Sequence, residues 1–216
     1  MLVLGINTVS DVCEAALVRD GQLVAGRSET MAQGHDARLA PLVDELMREA
    51  GLAFAQLDRI AVIVGPGSFT GVRVGVAFAR GLALALDRPA VGVTSLEAIA
   101  FGSGGRVLAA MPAKRRPPEL SWWAQAIEAS RGAGEPLEAD PALLRAMAAD
   151  ASSVWGYDLE AADLAIPARA ARPTARAAAM FAGALVVDLP PPRPVYVREP
   201  DATPHVPRQG ADQGLA

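Results

Sequence analysis

The residues best placed to do chemistry lie in Val64–Gly75, VGPGSFTGVRVG, which holds four glycines and a proline. A glycine-rich turn leading from an apolar strand into a helix is a common cradle for phosphate, because backbone N–H groups converge at the helix N-terminus. The spacing fits neither familiar phosphate loop. Counted from Gly65 or Gly67, the second glycine of G-x-x-x-x-G-K-S/T would fall on Thr70 or Val72, and no lysine follows. In G-x-G-x-x-G the third glycine would again be Thr70. Two readings of the turn stay open. Ser68, Phe69 and Thr70 offer their amides to an anion or nucleotide, or Ser68 or Thr70 caps the helix while the glycines serve the backbone. The remaining candidates are sparse. His35 and His205 are far apart and form no H-x-x-x-H pair, which argues against a histidine metal site. Cys13 is the single cysteine and sits in an apolar stretch, so it reads as a small core residue rather than a nucleophile. Ser68 is followed two residues later by Thr70, so G-x-S-x-G is absent.

The elements that must carry these residues follow from periodicity and turn chemistry. Leu2–Thr8 reads as a buried strand, and Cys13–Glu29 as a hairpin turning at Asp20-Gly21. Ala37–Leu52 has Leu39, Leu42, Val43, Leu46 and Met47 at helical spacing, with Asp36 as N-cap, Pro41 in the first turn and Gly51 as the stop. Then come strand Ile60–Val64, the glycine turn, helix Gly71–Leu86, strand Ala90–Ser95 and a short helix Leu96–Phe101. The order β-β-β-α-β-α-β-α specifies an α/β mixed sheet with packed helices, the actin-like ATPase or ribonuclease H-like fold. Gly102–Arg106 reads as a hinge, giving an N-terminal subdomain over 1–101 and a smaller, degenerate α/β subdomain over 106–200. Expected there are strands Arg106–Met111, Ser121–Ala129 and Arg193–Pro200, and helices Asp140–Asp150 and Arg172–Val187. The basic stretch Ala113–Pro118 reads as a solvated loop, and 201–216 as a disordered tail.

In that fold an ATPase or Mg²⁺ nuclease wants an Asp on the first strand, and here the position holds Asn7. An amide carries no charge to draw in hydrated Mg²⁺, and Asp11 alone makes a poor site. Charge composition agrees: the net charge of −4 supplies no broad cationic field for unaided nucleic-acid binding. The N-terminus lacks the basic region of a signal peptide, and the long apolar run Val72–Leu86 carries Arg73 and Arg80. A soluble cytoplasmic chain with no membrane association is the expectation.

Helix Gly71–Leu86 is apolar nearly all round, so both of its sides should be covered. Gly71 and Gly75 lie four apart, with Phe78, Ala79 and Leu82 continuing the face, and small residues at that spacing let a second helix approach closely. A partner protein supplies that helix more economically than this short chain does.

The segment GPGSFTGVRVGVAFARGLALAL closely resembles the signature of the bacterial TsaB (YeaZ) family. Supporting stretches are LGINT, GHDARLAPLVDELM, VGVTSLEAIA and PVYVREPDATP, a match that is strong over Leu2–Phe101 and patchy beyond. The resemblance implies a non-catalytic, dimerising partner of the paralogous TsaD enzyme. With TsaC-type and TsaE-type proteins, that pair installs threonylcarbamoyladenosine beside the tRNA anticodon. It also implies docking through the first two helices in a four-helix bundle. Carried onto this chain, the interface would use Leu39, Leu42, Val43 and Leu46 together with Gly71, Val72, Gly75, Phe78, Ala79 and Leu82. On that assignment Gly75→Arg would abolish association and spare the fold. Further expectations are a homodimer when alone, tRNA contact only through the complex, a TsaE-type ATPase as a further partner, no metal or cofactor in the isolated chain, and room for a nucleotide at the shared interface. Asn7 departs from the family's usual Asp, and Met111–Arg116 is more basic than the usual Asp-Ala-Arg start of the second subdomain. A metallopeptidase is disfavoured by the missing histidine pair. The rival is a small actin-like ATPase or kinase that binds Mg-nucleotide through Asp11 and the Ser68–Thr70 amides.

Overall fold

Strand β1 (Leu2–Asn7) is buried along its whole length, because both faces of the first sheet are covered. It pairs antiparallel with β2 (Val12–Arg19), which pairs with β3 (Gln22–Thr30) through the turn at Asp20-Gly21, both at positive φ. On its other side β1 pairs parallel with β4 (Arg59–Ile63), and β4 with β5 (Ala90–Val93). The order β3-β2-β1-β4-β5 is the expected mixed sheet. This computed structural model describes residues 1–116, 118–185 and 191–197, apart from the side chains of 115 and 116.

Helices α1 (His35–Glu49) and α2 (Phe69–Leu86) pack on one face of this sheet and against each other. The opposite face holds α5 (Ala175–Gly183), which packs on β1, β2 and β4. Alternation along β1 separates the two layers. Gly5 and Asn7 meet α5 and its leading residue Pro173, whereas Thr8, just past the strand, meets α2. The second sheet has the order β10-β9-β6-β7-β8. It comprises β6 (Arg106–Arg116), β7 (Glu119–Glu128), β8 (Arg131–Ala139), β9 (Val154–Gly156) and β10 (Ala168–Ala170). One of its faces buries Trp122 with Leu144 and Ala148 of α4 (Pro141–Ala149), and the other meets Leu96 and Ile99 of α3 (Ser95–Ile99).

Several boundaries differ from the sequence expectation for local reasons. Helix α1 starts at His35, because Gly34 adopts φ 89 and serves as N-cap in place of Asp36. Asp36 sits instead in the first turn, where its charge suits the helix dipole. Pro41 consequently lies inside the helix, on the exposed side, where water can satisfy the carbonyl it leaves unbonded. Helix α2 begins at Phe69, two residues before Gly71. Strand β8 contains two glycines and a proline, tolerable because it is an edge strand, while β9 and β10 are three residues each. Residues 113–116 of the basic stretch form the end of β6 rather than a loop, and Lys114 pairs with Glu119 of β7 at 2.5 Å. Helix α5 starts at Ala175 behind the cap Thr174, and residues 186–187 of the expected helix lie outside the described residues. Over 191–197 no strand forms, although the Val195 N–H donates to the Val64 carbonyl at 2.7 Å; residues 198–200 and the tail 201–216 lie outside the described residues.

Candidate functional site

The glycine turn is held tightly against the end of β1. A Cβ on Gly67 would overlap the Val9 carbonyl, one on Gly71 the Thr8 carbonyl, and one on Gly65 would sit 2.6 Å from the Val195 carbonyl. Gly75 leaves only 2.5 Å between an added Cβ and Thr8 Oγ1, whose hydroxyl donates to the Gly71 carbonyl at 2.7 Å. Gly65, Gly67 and Gly71 therefore let backbone approach backbone, and Gly75 makes room for the Thr8 side chain. Ser68 caps α2: its Oγ accepts from the Gly71 N–H at 3.2 Å, while its own N–H donates to the Val9 carbonyl at 2.7 Å. Of the three amides available for an anion, that of Ser68 is already committed to protein.

Asn7 of β1 and Glu14 of β2 are likewise engaged. The Asn7 amide donates to Glu14 at 3.1 Å and to the Pro173 carbonyl at 2.9 Å, and its oxygen accepts from Val9 N–H at 3.2 Å. Glu14 also accepts from the Ala175 N–H at 3.0 Å, helping to cap α5. Burial raises the Glu14 carboxyl above its ordinary value, partly offset by those donors. Cys13 is fully buried, and desolvation pushes its thiol up to about 11, consistent with an inert core residue. Among the described residues no group of three or more His, Cys, Asp and Glu side chains could hold a metal ion.

The positions assigned to a partner interface divide cleanly. Leu39, Leu42, Val43 and Leu46 are at most 1% exposed and belong to the chain's own core, as do Gly71, Val72, Gly75 and Ala79. In this structure those eight pack within the chain itself, because the sheet takes the stripe that carries the two glycines. Gly75→Arg would drive its side chain into Thr8 and Val62 rather than into a partner. Phe78 and Leu82 are half-buried at the flanks of that stripe.

Among the described residues, helix α2 is covered on one side only. Its outer face carries Ala77, Gly81, Leu84 and Ala85, all exposed, with half-exposed Val74 and Phe78 alongside; Leu84 is 86% exposed. Ala37, Ala40 and Pro41 of α1 are also exposed, and both helices start beside one pocket of about 330 Å³ lined by Gln33, His35, Ser68, Thr70 and Val74. Arg73 and Arg80 lie on this outer face, so residues three and four positions from them, Ala77 and Leu84, could have been placed there from sequence. Among the described residues α2 is the one helix long and apolar enough to cross a membrane, yet its inner stripe packs on the sheet as a core helix does.

Comparison with known proteins gives this geometry its context. Residues 28–115 match the family model described as TsaD: tRNA N6-adenosine threonylcarbamoyltransferase. The Escherichia coli tRNA threonylcarbamoyladenosine biosynthesis protein TsaB is 37% identical over 127 residues, 56% of this chain and 54% of that protein. The match thus spans about half the length of that curated relative. An uncharacterized protein of Mycobacterium tuberculosis is 36% identical over 209 residues, 94% of each chain. The solved structure of YeaZ from Pseudomonas aeruginosa superposes with a TM-score of 0.71 at 30% identity, covering 90% of this chain and 99% of that one. The glycine turn with its helix, the two mixed sheets and these near full-length matches lead to one conclusion: the chain belongs to the TsaB (YeaZ) family of tRNA threonylcarbamoyladenosine biosynthesis.

Proposed function

We propose that this chain is a non-catalytic subunit that docks on a TsaD-type threonylcarbamoyltransferase through the outer face of α1 and α2, and so supports formation of threonylcarbamoyladenosine next to the tRNA anticodon. The observation that carries the reading is the apolar outer face of α2, with Leu84 86% exposed and Ala77, Gly81 and Ala85 beside it. A contiguous apolar helix face open to water is unfavourable unless something covers it. Small residues at Ala77 and Gly81 allow close helix approach, and Leu84 supplies a knob. The engaged state of Asn7 and the committed Ser68 amide favour an interaction subunit over the ATPase reading.

In this reading catalysis and metal belong to the partner, the isolated chain carries no resident cofactor, and any nucleotide enters at the joint, beside the pocket where the two helices start. tRNA is reached through the assembled complex, a TsaE-type ATPase joins the same assembly, and the cytoplasm is the working compartment. A free chain pairs with a second copy through the same face. The test is a pull-down of the cognate TsaD-type protein by the full chain and by Ala77→Arg. The wild type should retain the partner stoichiometrically, and the variant should lose it by at least about tenfold while keeping its circular dichroism spectrum. Undiminished capture by Ala77→Arg would refute the docking face.

A further inference from the structure

Resting on that docking reading, we infer that the outer margin of α2 selects an acidic partner over a second copy of this chain. Arg73 and Arg80 lie seven residues apart on the side of α2 nearest β5 and the 191–197 segment, and Arg88 follows just past the helix's left-handed C-cap Asp87. All three are exposed, and none is paired with a carboxylate among the described residues. Arg73 lies 3.7 Å over the Phe69 ring and donates from Nε to the Tyr196 hydroxyl at 3.1 Å, which fixes its charge at the rim without neutralising it. Arg80 and Arg88 border a hollow of about 690 Å³ that also takes in Gly81, Leu84 and Pro89; among the described residues Asp87 is the one carboxylate that lines it. The cations beside α1 differ: Arg27 and Arg38 are ion-paired with Glu45, Arg38 also with Glu29, and Arg48 with Asp44.

This asymmetry discriminates between occupants. In a two-fold pair whose α2 helices run antiparallel and cross at Ala77, Arg73 of each copy would lie beside Arg80 of the other, so like charges would meet twice across one axis. Among the described residues Asp44 and Glu45 already serve arginines of their own chain, which leaves Asp36 at the start of α1 and Asp87 at the end of α2 as the carboxylates on this surface outside those pairs. A partner helix with Asp or Glu seven residues apart would meet Arg73 and Arg80, and a further carboxylate would enter the hollow that Arg80 and Arg88 border beside Leu84. Charge thus weakens the homodimer relative to the heterologous pair on the one apolar face that both use.

The experiment measures two affinities of the full-length chain by sedimentation and calorimetry: for the cognate TsaD-type protein and for itself. Raising NaCl from about 50 to about 500 mM should weaken heterologous binding about tenfold and leave self-association unchanged or tighter. Arg80→Glu should lower heterologous affinity about tenfold and strengthen self-association, because the introduced carboxylate of each copy would then face Arg73 of the other; its thermal midpoint should not move, since Arg80 is exposed. Equal weakening of both associations, or heterologous affinity within about twofold of wild type, would overturn the inference. If Ala77→Arg abolishes heterologous binding while Arg80→Glu does not alter it, docking stands and charge selection falls. If Ala77→Arg leaves heterologous binding intact, both fall.

Discussion

Gly75 and Gly81 are six residues apart on one helix and do opposite things. Gly75 exists because Thr8 needs its space: an added Cβ meets Thr8 Oγ1 at 2.5 Å and Val62 Cγ2 at 3.3 Å. Thr8 cannot turn away without losing its bond to the Gly71 carbonyl. Gly75→Ala should therefore destabilise the isolated chain by about 1–3 kcal/mol in urea denaturation, as overpacked cores do. Gly81 meets nothing within 4 Å, and Gly81→Ala should stabilise the chain by about 0.5–1 kcal/mol through helix propensity. Equal effects at the two positions would contradict the assignment of the inner and outer faces of α2. Sequence spacing singled out Gly71 and Gly75 as special but could not say which neighbour came close, since a strand end and a partner helix demand the same small residues.

At the scale of elements, α1 is joined to β3 by charge as well as by its buried leucines. Arg38 holds Glu29 and Glu45, and Arg27 reaches Glu45 and Glu49. The Arg38 hydrogen bonds lower the Glu45 carboxyl from 4.5 to about 2. A carboxyl with a lowered folded-state value stabilises the fold above its unfolded value and loses that contribution as pH falls through the folded one. Between about pH 4.5 and pH 2 the chain should thus lose stability, and Glu45→Gln should flatten that fall while lowering stability at neutral pH. Urea titrations across this range read both effects, and an unchanged acid limb in Glu45→Gln would show that the network does not tie α1 to β3. None of this was visible in the sequence, where Glu29, Arg38 and Glu45 are merely charged residues on separate elements.

For the whole molecule, the decisive feature is the return of the chain. Helix α5 begins at Ala175, after the entire second sheet, yet buries Ala178, Ala179, Phe181 and Ala182 against the first. Gly5 is a glycine so that the Ala175 carbonyl can approach β1, and Asn7 and Glu14 bind Pro173 and Ala175. A fragment ending at residue 101 leaves that face of β1 and β4 open. It should fail to give a cooperative thermal transition, whereas adding residues 172–185 as a separate peptide should restore secondary structure. A fragment 1–101 that melts cooperatively alone would show that α5 is dispensable to the first sheet.

The sequence by itself determined the strand and helix order of the first hundred residues, the Asp20-Gly21 turn and the absence of familiar phosphate and nucleophile motifs. Those features are local: periodicity, turn chemistry and motif spacing are written in neighbouring residues. Tertiary structure decided what α2 faces and what Asn7 does. An all-round apolar helix carries no internal record of which stripe the sheet will take, and only the approach of Thr8 assigns Gly71 and Gly75 inward and leaves Leu84 outside. Asn7 likewise reads as a lost metal ligand in sequence, while in the fold it binds Glu14 and Pro173 because a helix from the far end of the chain comes to rest there. Long-range closure set those partners, and no local window contains it.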